Sequence, residues 1–193
     1  MKFDKNKFLL EFARQLAFLC EQRIKFCHGH AVSVCNISML IGNHMKLGKE
    51  KLRKLQLSAL LHDVGKIAVR DTILNKATSL ELEEYEEVKK HALLGAEMIK
   101  KIKALEDISG IVRQHHEHFD GMGYPDCLKK EKILIQARII SVADAFDVIT
   151  SVSSYRKPLS RAQALAEIEH NARRQFDPQV VCAFKEVCNT AAI

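Results

Sequence analysis

The sequence predicts an all-α fold, built as a single compact helical bundle. Apolar residues recur at steps of three and four along most of the chain, which is the spacing of one helix face and not of a strand. Only 8 Gly and 3 Pro interrupt the 193 residues. A hydrophobic content of 47% is enough to build a full core without disulfide or metal staples. Strands are therefore expected to be few or absent.

The first three predicted helices lie in the N-terminal third of the chain. Residues 3–26 carry phenylalanine and leucine at helical spacing and predict an amphipathic helix that packs on the rest of the domain. A second helix is predicted over residues 30–43. A third begins at Lys49 and presents the adjacent pair His62 and Asp63 at its C-terminal end.

The middle of the chain is predicted to contain a loop and two or three further helices. Gly65 is expected to stop the third helix, and residues 67–78 have the composition of a connecting loop. Ser79 is the predicted cap of the next helix, whose acidic first turn and later lysines suit the helix dipole. The segment 91–102 continues that helix or begins another. A further helix is predicted over 109–117.

The C-terminal part combines one punctuated loop with three helices. Two glycines and a proline mark residues 120–125 as a loop, which we expect to border the functional site. The apolar stretch 133–152 predicts a long helix. Ser160 is the predicted cap of the following helix, and Pro178 occupies the first position of the last one.

Charge and cysteine content restrict the class of protein. The net charge of +6 attracts anions, but the lysines are not interleaved with aromatic residues, so a nucleic-acid polymer is not the expected ligand. The six cysteines show no paired metal-binding spacing, and no signal peptide or long apolar span is evident. We therefore expect a cytoplasmic protein without membrane insertion, with most cysteines in the core and Cys127 in a loop.

Residues able to bind metal are concentrated in helical contexts. Because His62 and Asp63 are adjacent, an imidazole and a carboxylate can reach the same metal ion or ion pair. Imidazole with carboxylate suits manganese, iron or zinc, and seven candidates suit a dinuclear site of the kind that cleaves phosphate esters. Taken singly, the His62-Asp63 pair or Asp144 fits a buried ion pair or a cap equally well. The seven candidates are His30, His62, Asp63, His91, His115, His116 and Asp144.

Two longer runs of residues carry a family resemblance. Residues 62–66 read HDVGK and residues 115–125 read HHEHFDGMGYP, and both resemble signatures of the HD-GYP family. The likeness extends from about His30 to Pro178. It implies a helical HD-domain bundle with the GYP-containing loop beside the metal site. We expect an N-terminal helix at 1–27 packed on an HD-GYP domain at 28–193.

The resemblance also assigns roles to individual residues. Asp63 would bridge two metal ions, and Lys66 would contact the scissile phosphate, although a cation at a helix C-terminus is the alternative for Lys66. The first ion would be held by His30, His62, Asp63 and Asp144, and the second by His91, His115 and His116. The expected substrate contacts are Lys66, Tyr124 and Arg156. The residues expected to orient ligands or tie down the loop are Glu117, Asp120 and Asp147.

The implied activity is a step of bacterial signal transduction. Family members hydrolyse cyclic di-GMP by attack of a metal-activated hydroxide, and the products expected here are the linear dinucleotide pGpG, GMP or both. Two transition-metal ions per chain are expected, iron or manganese, with zinc, nickel or magnesium as substitutes in a purified sample. The alternatives are a weakly catalytic metal-bound domain that binds nucleotide or a protein partner, and a phosphohydrolase for another phosphoester. A diguanylate cyclase or a separate regulatory protein would be such a partner.

Several positions depart from the family pattern. Members with a third metal carry a glutamate one turn before the first ligand histidine, where this chain has Phe26, so two ions are predicted. An Arg-Pro-Tyr-Arg run is replaced by residues 153–156, SSYR, which removes one guanidinium. Cys127 and Lys130 replace the usual glycines after the tyrosine-proline pair, and Ser33 replaces a frequent arginine.

Overall fold

The computed structural model describes residues 4–25, 29–151 and 157–190. Within these ranges the predicted all-α fold is confirmed, because no strand is present and a single isolated bridge joins Ala172 to Phe176. The α-helices of the described residues are α1 (Lys5–Glu21), α2 (His30–His44), α3 (Lys49–Leu61), α4 (Asp71–Leu74), α5 (Leu82–Lys100), α6 (Ser109–Gln114), α7 (Ile135–Thr150), α8 (Arg161–His170) and α9 (Pro178–Thr190). Short 3-10 helices lie at Val64–Ala68, Glu106–Ile108 and Lys130–Lys132.

The core lies where α2 packs against α3 and α7, the most extensive contacts in the bundle together with those that α5 makes. Ile41, Leu61 and Ile140 are fully buried there. On the other side, α5 packs on α6 and on the 3-10 helix Val64–Ala68. The ends of α3 and α6 therefore meet the middle of α5. None of the helices in the described ranges has the length and apolar character needed to cross a bilayer.

Helix boundaries differ from the predicted ones where a non-local or reciprocal contact decides them. The first helix ends at Glu21 and not near residue 26, and the predicted loop 67–78 contains the short α4. Ser79 is not the cap of α5. Glu81 takes that place. Its carboxylate accepts a hydrogen bond from the backbone amide of Glu84, and the Glu84 carboxylate accepts one from the Glu81 amide at 2.8 Å.

Other expected boundaries are confirmed by the structure. Ser160 caps α8 in a reciprocal arrangement with Gln163, and Pro178 is the first residue of α9. The segment 91–102 continues α5 as far as Lys100. The sixth helix is shorter than predicted, since it ends at Gln114 and the following histidines lie just beyond it. This short helix places consecutive side chains at the same end of the bundle.

Candidate metal centre

All seven predicted ligand residues lie at one place in the bundle. They come from the first residue of α2, the end of α3, the middle of α5, the end of α6 and the middle of α7. Their potential ligand atoms form two adjoining groups, and within each group these atoms lie within 4.8 Å of one another. One group contains His30, His62 and Asp144, and the other contains Asp63, His91, His115 and His116.

The first group is arranged around one carboxylate oxygen. Asp144 Oδ1 lies 3.2 Å from His30 Nε2 and 3.9 Å from His62 Nε2. The His62 side chain is fully buried, yet its Nε2 makes no hydrogen bond to any part of the chain that the structure describes. A buried, unpaired nitrogen costs free energy unless something binds it. A cation at this point would satisfy the His62 nitrogen.

Asp63 faces both groups. Its Oδ2 lies 3.4 Å from His62 Nε2 and 3.7 Å from His30 Nε2, whereas its Oδ1 lies 3.3 Å from His91 Nε2. The two oxygens of one carboxylate therefore point to different clusters of nitrogen atoms. This orientation is the one required of a carboxylate that bridges two ions.

Backbone hydrogen bonds set the tautomer of three histidines. The Nδ1 atoms of His62, His91 and His115 lie 2.7, 2.6 and 2.6 Å from carbonyl oxygens three residues earlier on their own helices. These carbonyls belong to Ala59, Val88 and Val112. Because a carbonyl only accepts, each Nδ1 carries a proton, and Nε2 is the ring nitrogen left to bind a metal.

The second group contains a contact that these tautomers make unfavourable. His91 Nε2 and His115 Nε2 lie 3.2 Å apart, and in the neutral rings neither atom has a proton to donate. Two facing lone pairs repel each other, whereas a shared cation would bind both. The donor atoms present therefore fit a metal ion in both groups.

Electrostatics keep most of these histidines in the ligand form. Burial, reinforced by the neighbouring imidazoles, lowers the pKa of His115 well below its usual range. Burial and the nearby His91 lower the pKa of His116 to about 3. Both rings are neutral at physiological pH. A neutral imidazole binds a metal without first losing a proton.

The carboxylates of the site are held in the charged form. Burial would raise the pKa of Asp63, but Lys66, His62 and His91 together outweigh it and keep the pKa well below its usual range. Burial also opposes the charge on His30, yet hydrogen bonds with Asp144 and Asp147 raise the His30 pKa well above its ordinary value. Negative charge at the centre is therefore carried by the carboxylate oxygens of Asp63 and Asp144, which lie beside the Lys66 ammonium group and the His30 ring.

Lys66 lies at the edge of this cluster. Its Nζ donates to Asp63 Oδ2 at 2.6 Å, and about a quarter of its side chain is exposed. The residue lies within the 3-10 helix Val64–Ala68, three residues after Asp63. The ammonium group is therefore directed at the carboxylate that lies between the two groups.

The three residues expected to support the site do different things. Asp147 contacts the predicted ligand His30, because its Oδ2 lies 2.7 Å from His30 Nδ1 and its Oδ1 accepts from the Ser33 hydroxyl. Glu117 is buried and accepts backbone N–H groups of the loop, from residues 126 and 128, at 2.7 and 2.9 Å. Asp120 accepts from the Met122 amide at 2.9 Å. Glu117 and Asp120 therefore hold the loop, and Asp147 holds the His30 ring.

The predicted loop lies beside the site, as expected. The Tyr124 amide donates to the His116 carbonyl at 3.1 Å, and its ring stacks on the His116 ring with centroids 4.8 Å apart. Lys89 Nζ lies 5.2 Å from the Tyr124 ring centroid and 5.5 Å from that of Tyr85. From the sequence, Lys89 was predicted only to complement the helix dipole, and no role was predicted for Tyr85. The sequence signal for this pair is that Tyr85 and Lys89 lie four residues apart on one helix, just before His91, so that both side chains share a face.

Gly65 has a different role from the predicted helix stop, because α3 already ends at Leu61. A Cβ atom at Gly65 would lie 2.0 Å from the His91 carbonyl oxygen and 2.6 Å from the Gly95 amide nitrogen. Glycine is therefore required for close approach of the 3-10 helix to α5. This approach brings Asp63 next to His91.

The departures from the family pattern have visible consequences in the loop. Cys127 and Lys130 have φ values of 52° and 55°, in the left-handed region that favours glycine. Glycines at these positions in other members would have the easier backbone geometry. The predicted substrate contact Arg156, its neighbour Ser153 and the predicted marker of metal number, Phe26, all lie outside the described residues.

Comparisons with known proteins agree with this geometry. The HD domain family model matches residues 14–180. A cyclic di-GMP phosphodiesterase of Thermotoga maritima is 36% identical over 92% of this chain and 49% of its own length. One of Pseudomonas aeruginosa is 37% identical over 83% of this chain and 39% of its own length.

The fold has relatives among solved structures as well. A cyclic GMP-AMP-specific phosphodiesterase of Vibrio cholerae aligns with a TM-score of 0.75 at 21% identity, over 94% of this chain and 49% of that one. This chain thus spans about half of the length of that protein and of the first of the two sequence relatives. The chain belongs to the HD domain family and, within it, to the HD-GYP type.

Proposed function

We propose that this chain is a metal-dependent phosphodiesterase that hydrolyses cyclic di-GMP to pGpG, GMP or both. The observation that carries the proposal is the convergence of imidazole Nε2 atoms on Asp63, whose two oxygens face two separate groups of ligand atoms. Relatives of this chain are named as phosphodiesterases of cyclic di-GMP or of cyclic GMP-AMP, which supports a cyclic dinucleotide as the substrate.

The site is proposed to hold two ions of iron or manganese. Mixed nitrogen and oxygen donors favour these metals over magnesium, which prefers oxygen donors alone. When bound, such ions would activate water and stabilise negative charge at phosphorus. The first ion would be held by His30, His62, Asp63 and Asp144, and the second by Asp63, His91, His115 and His116.

The chain's own residues would bind and orient the substrate. Lys66 would offset the negative charge that develops on the phosphoryl oxygens, since its ammonium group lies 2.6 Å from the Asp63 carboxylate at the centre. The ring of Tyr124, with Lys89 and the half-exposed Tyr85 beside it, offers an aromatic face and a cation to a nucleobase. Arg156 stays a predicted phosphate contact.

Product analysis tests this proposal. Protein purified without oxygen and loaded with iron or manganese should convert cyclic di-GMP to linear dinucleotide or GMP, whereas Asp63→Ala should not. His44→Ala is the matched control, because His44 pairs with Glu186 at 2.8 Å on the surface, away from the centre. This variant should retain full activity.

A second variant separates chemistry from metal binding. Lys66→Met should retain both ions and lose about 10²–10³-fold in kcat, the usual effect of removing one group that stabilises transition-state charge. A parent protein with two bound metals and no product from cyclic di-GMP would contradict the proposal. It would favour another phosphoester, or a binding role with a diguanylate cyclase or regulatory partner.

A further inference from the structure

The end of α1 contacts both segments that lead into the metal centre. This end, residues 21–25, consists of the last residue of α1 and the turn after it. Glu21 is buried, and its two oxygens accept hydrogen bonds from the backbone amides of Gly29 at 2.9 Å and Ala31 at 2.7 Å. These two amides flank His30, so Glu21 holds the backbone on either side of a proposed ligand.

Glu21 acts as the cap that α2 lacks locally. The residue before α2 is Gly29, which has no side chain to accept the first amides of the helix. A buried carboxylate is costly unless both oxygens are bonded, and here two charge-assisted bonds satisfy it. The cap is therefore supplied by a different helix, and the start of α2 is tied to α1.

Arg23 ties the same end of α1 to the segment after Asp63. Its guanidinium donates to the carbonyls of Ile67 at 2.6 Å and Val69 at 3.1 Å, and to the Asp71 carboxylate at 2.6 Å. Ile67 belongs to the 3-10 helix that contains Lys66. Glu21, His30 and Asp63 also line one small, nearly apolar cavity. The end of α1 is thus adjacent to two proposed ligands.

We propose that Glu21 is a positioning residue for the metal centre, which acts through His30; this inference rests on the metal site of the proposed function. The Glu21 bonds set the first turn of α2, and that turn aims His30 Nε2 at Asp144 Oδ1, 3.2 Å away. Without them the turn loses its cap, and the bond to Asp147 is left as the main restraint on the direction of His30. The ion nearest His30 then binds more weakly, and the ion at the second group does not.

Titration of metal-free protein with Mn²⁺, without nucleotide, tests this inference. The parent should bind two ions, and Glu21→Ala should bind one of them about 10–100-fold more weakly, the usual cost of losing a group that orients a ligand. Glu21→Gln, which retains an acceptor oxygen, should lie between them. Glu11→Ala, on the exposed face of the same helix, should match the parent.

A double-mutant cycle shows whether Glu21 acts through the ligand. In a His30→Ala background, Glu21→Ala should add no further loss of Mn²⁺ affinity, because both changes act on the same ion. Equal weakening of both ions, or an additive loss in that background, would overturn the inference. So would parent affinity in Glu21→Ala with only a lower unfolding midpoint. If Glu21→Ala does not fold, Glu21→Gln replaces it in both tests, with a smaller loss of affinity expected at the same ion.

The result is separable from that of the activity test. A parent protein that binds two Mn²⁺ ions and hydrolyses no cyclic di-GMP would contradict the proposed function, while the binding data for the Glu21 variants would still decide the inference. A parent that binds neither Mn²⁺ nor Fe²⁺ would overturn both.

Discussion

Replacing Gly65 with alanine should push the 3-10 helix Val64–Ala68 away from α5. The new Cβ would lie 2.0 Å from the His91 carbonyl oxygen and 2.6 Å from the Gly95 amide nitrogen, whereas real Cβ atoms essentially never come closer than 3.0 Å. These obstructing atoms belong to the backbone, so no side chain can rotate away. The two segments must therefore separate by about 1 Å.

The cost follows from this displacement. Overpacking a closely packed site costs about 1–3 kcal/mol, and the more restricted unfolded chain of the alanine variant offsets about 0.4–1 kcal/mol. We expect a net loss of about 1.3 kcal/mol, which lowers the melting temperature of a chain of this size by about 3–5 °C. Because Asp63 moves relative to His91, activity should fall by about 100-fold.

Unfolding of metal-free protein, followed by circular dichroism, measures the first effect, and product formation by loaded protein measures the second. Gly110→Ala is the matched control. Gly110 lies within α6, and a Cβ atom there would contact only the Leu134 side chain, at 3.4 Å. The control should be unchanged or up to about 1 kcal/mol more stable. If Gly65→Ala unfolded at the parent midpoint and had parent activity, the close-approach argument would be wrong.

Three further predictions concern single side chains. Asp147→Asn should weaken Mn²⁺ binding about 10–100-fold, because it disturbs the bond that orients the first ligand histidine, whereas Asp120→Asn, which touches only the loop, should not; titration of both variants checks this. Lys130→Gly should raise the free energy of unfolding by about 0.5–1 kcal/mol by relieving a left-handed backbone, while Lys129→Gly, in extended backbone, should lower it by a similar amount; denaturant unfolding of the pair decides. Burial raises the pKa of the Cys35 thiol to about 11, so its alkylation at pH 8 should be at least about 100-fold slower than that of glutathione and should accelerate as pH rises; peptide mass spectrometry would contradict this if the two rates matched.

Local sequence determined the helices because their signals are themselves local. The 3.6-residue period of apolar side chains lies within each helix, and caps such as Ser160 and Pro178 act within one turn. The residues of the proposed metal centre could also be picked out from the sequence, because an adjacent histidine and aspartate accompanied by several more histidines is a pattern typical of metal binding. The start of α5 was predicted less well, because both Ser79 and Glu81 are possible caps. The reciprocal hydrogen bonds between Glu81 and Glu84 place the cap at Glu81, and composition alone did not reveal them.

Tertiary structure alone decided which of these residues meet and what each one touches. Asp147 reaches His30 across 117 positions of sequence, and Glu21 caps a helix to which it does not belong. From the sequence, Gly65 is predicted to stop a helix, but in the structure glycine is required there because the backbone of α5 leaves no room for a Cβ atom. Local periodicity specifies a helix and its buried face, but contacts between helices depend on how those faces pack. The division of the ligands into two groups around Asp63 is therefore a property of the packed bundle.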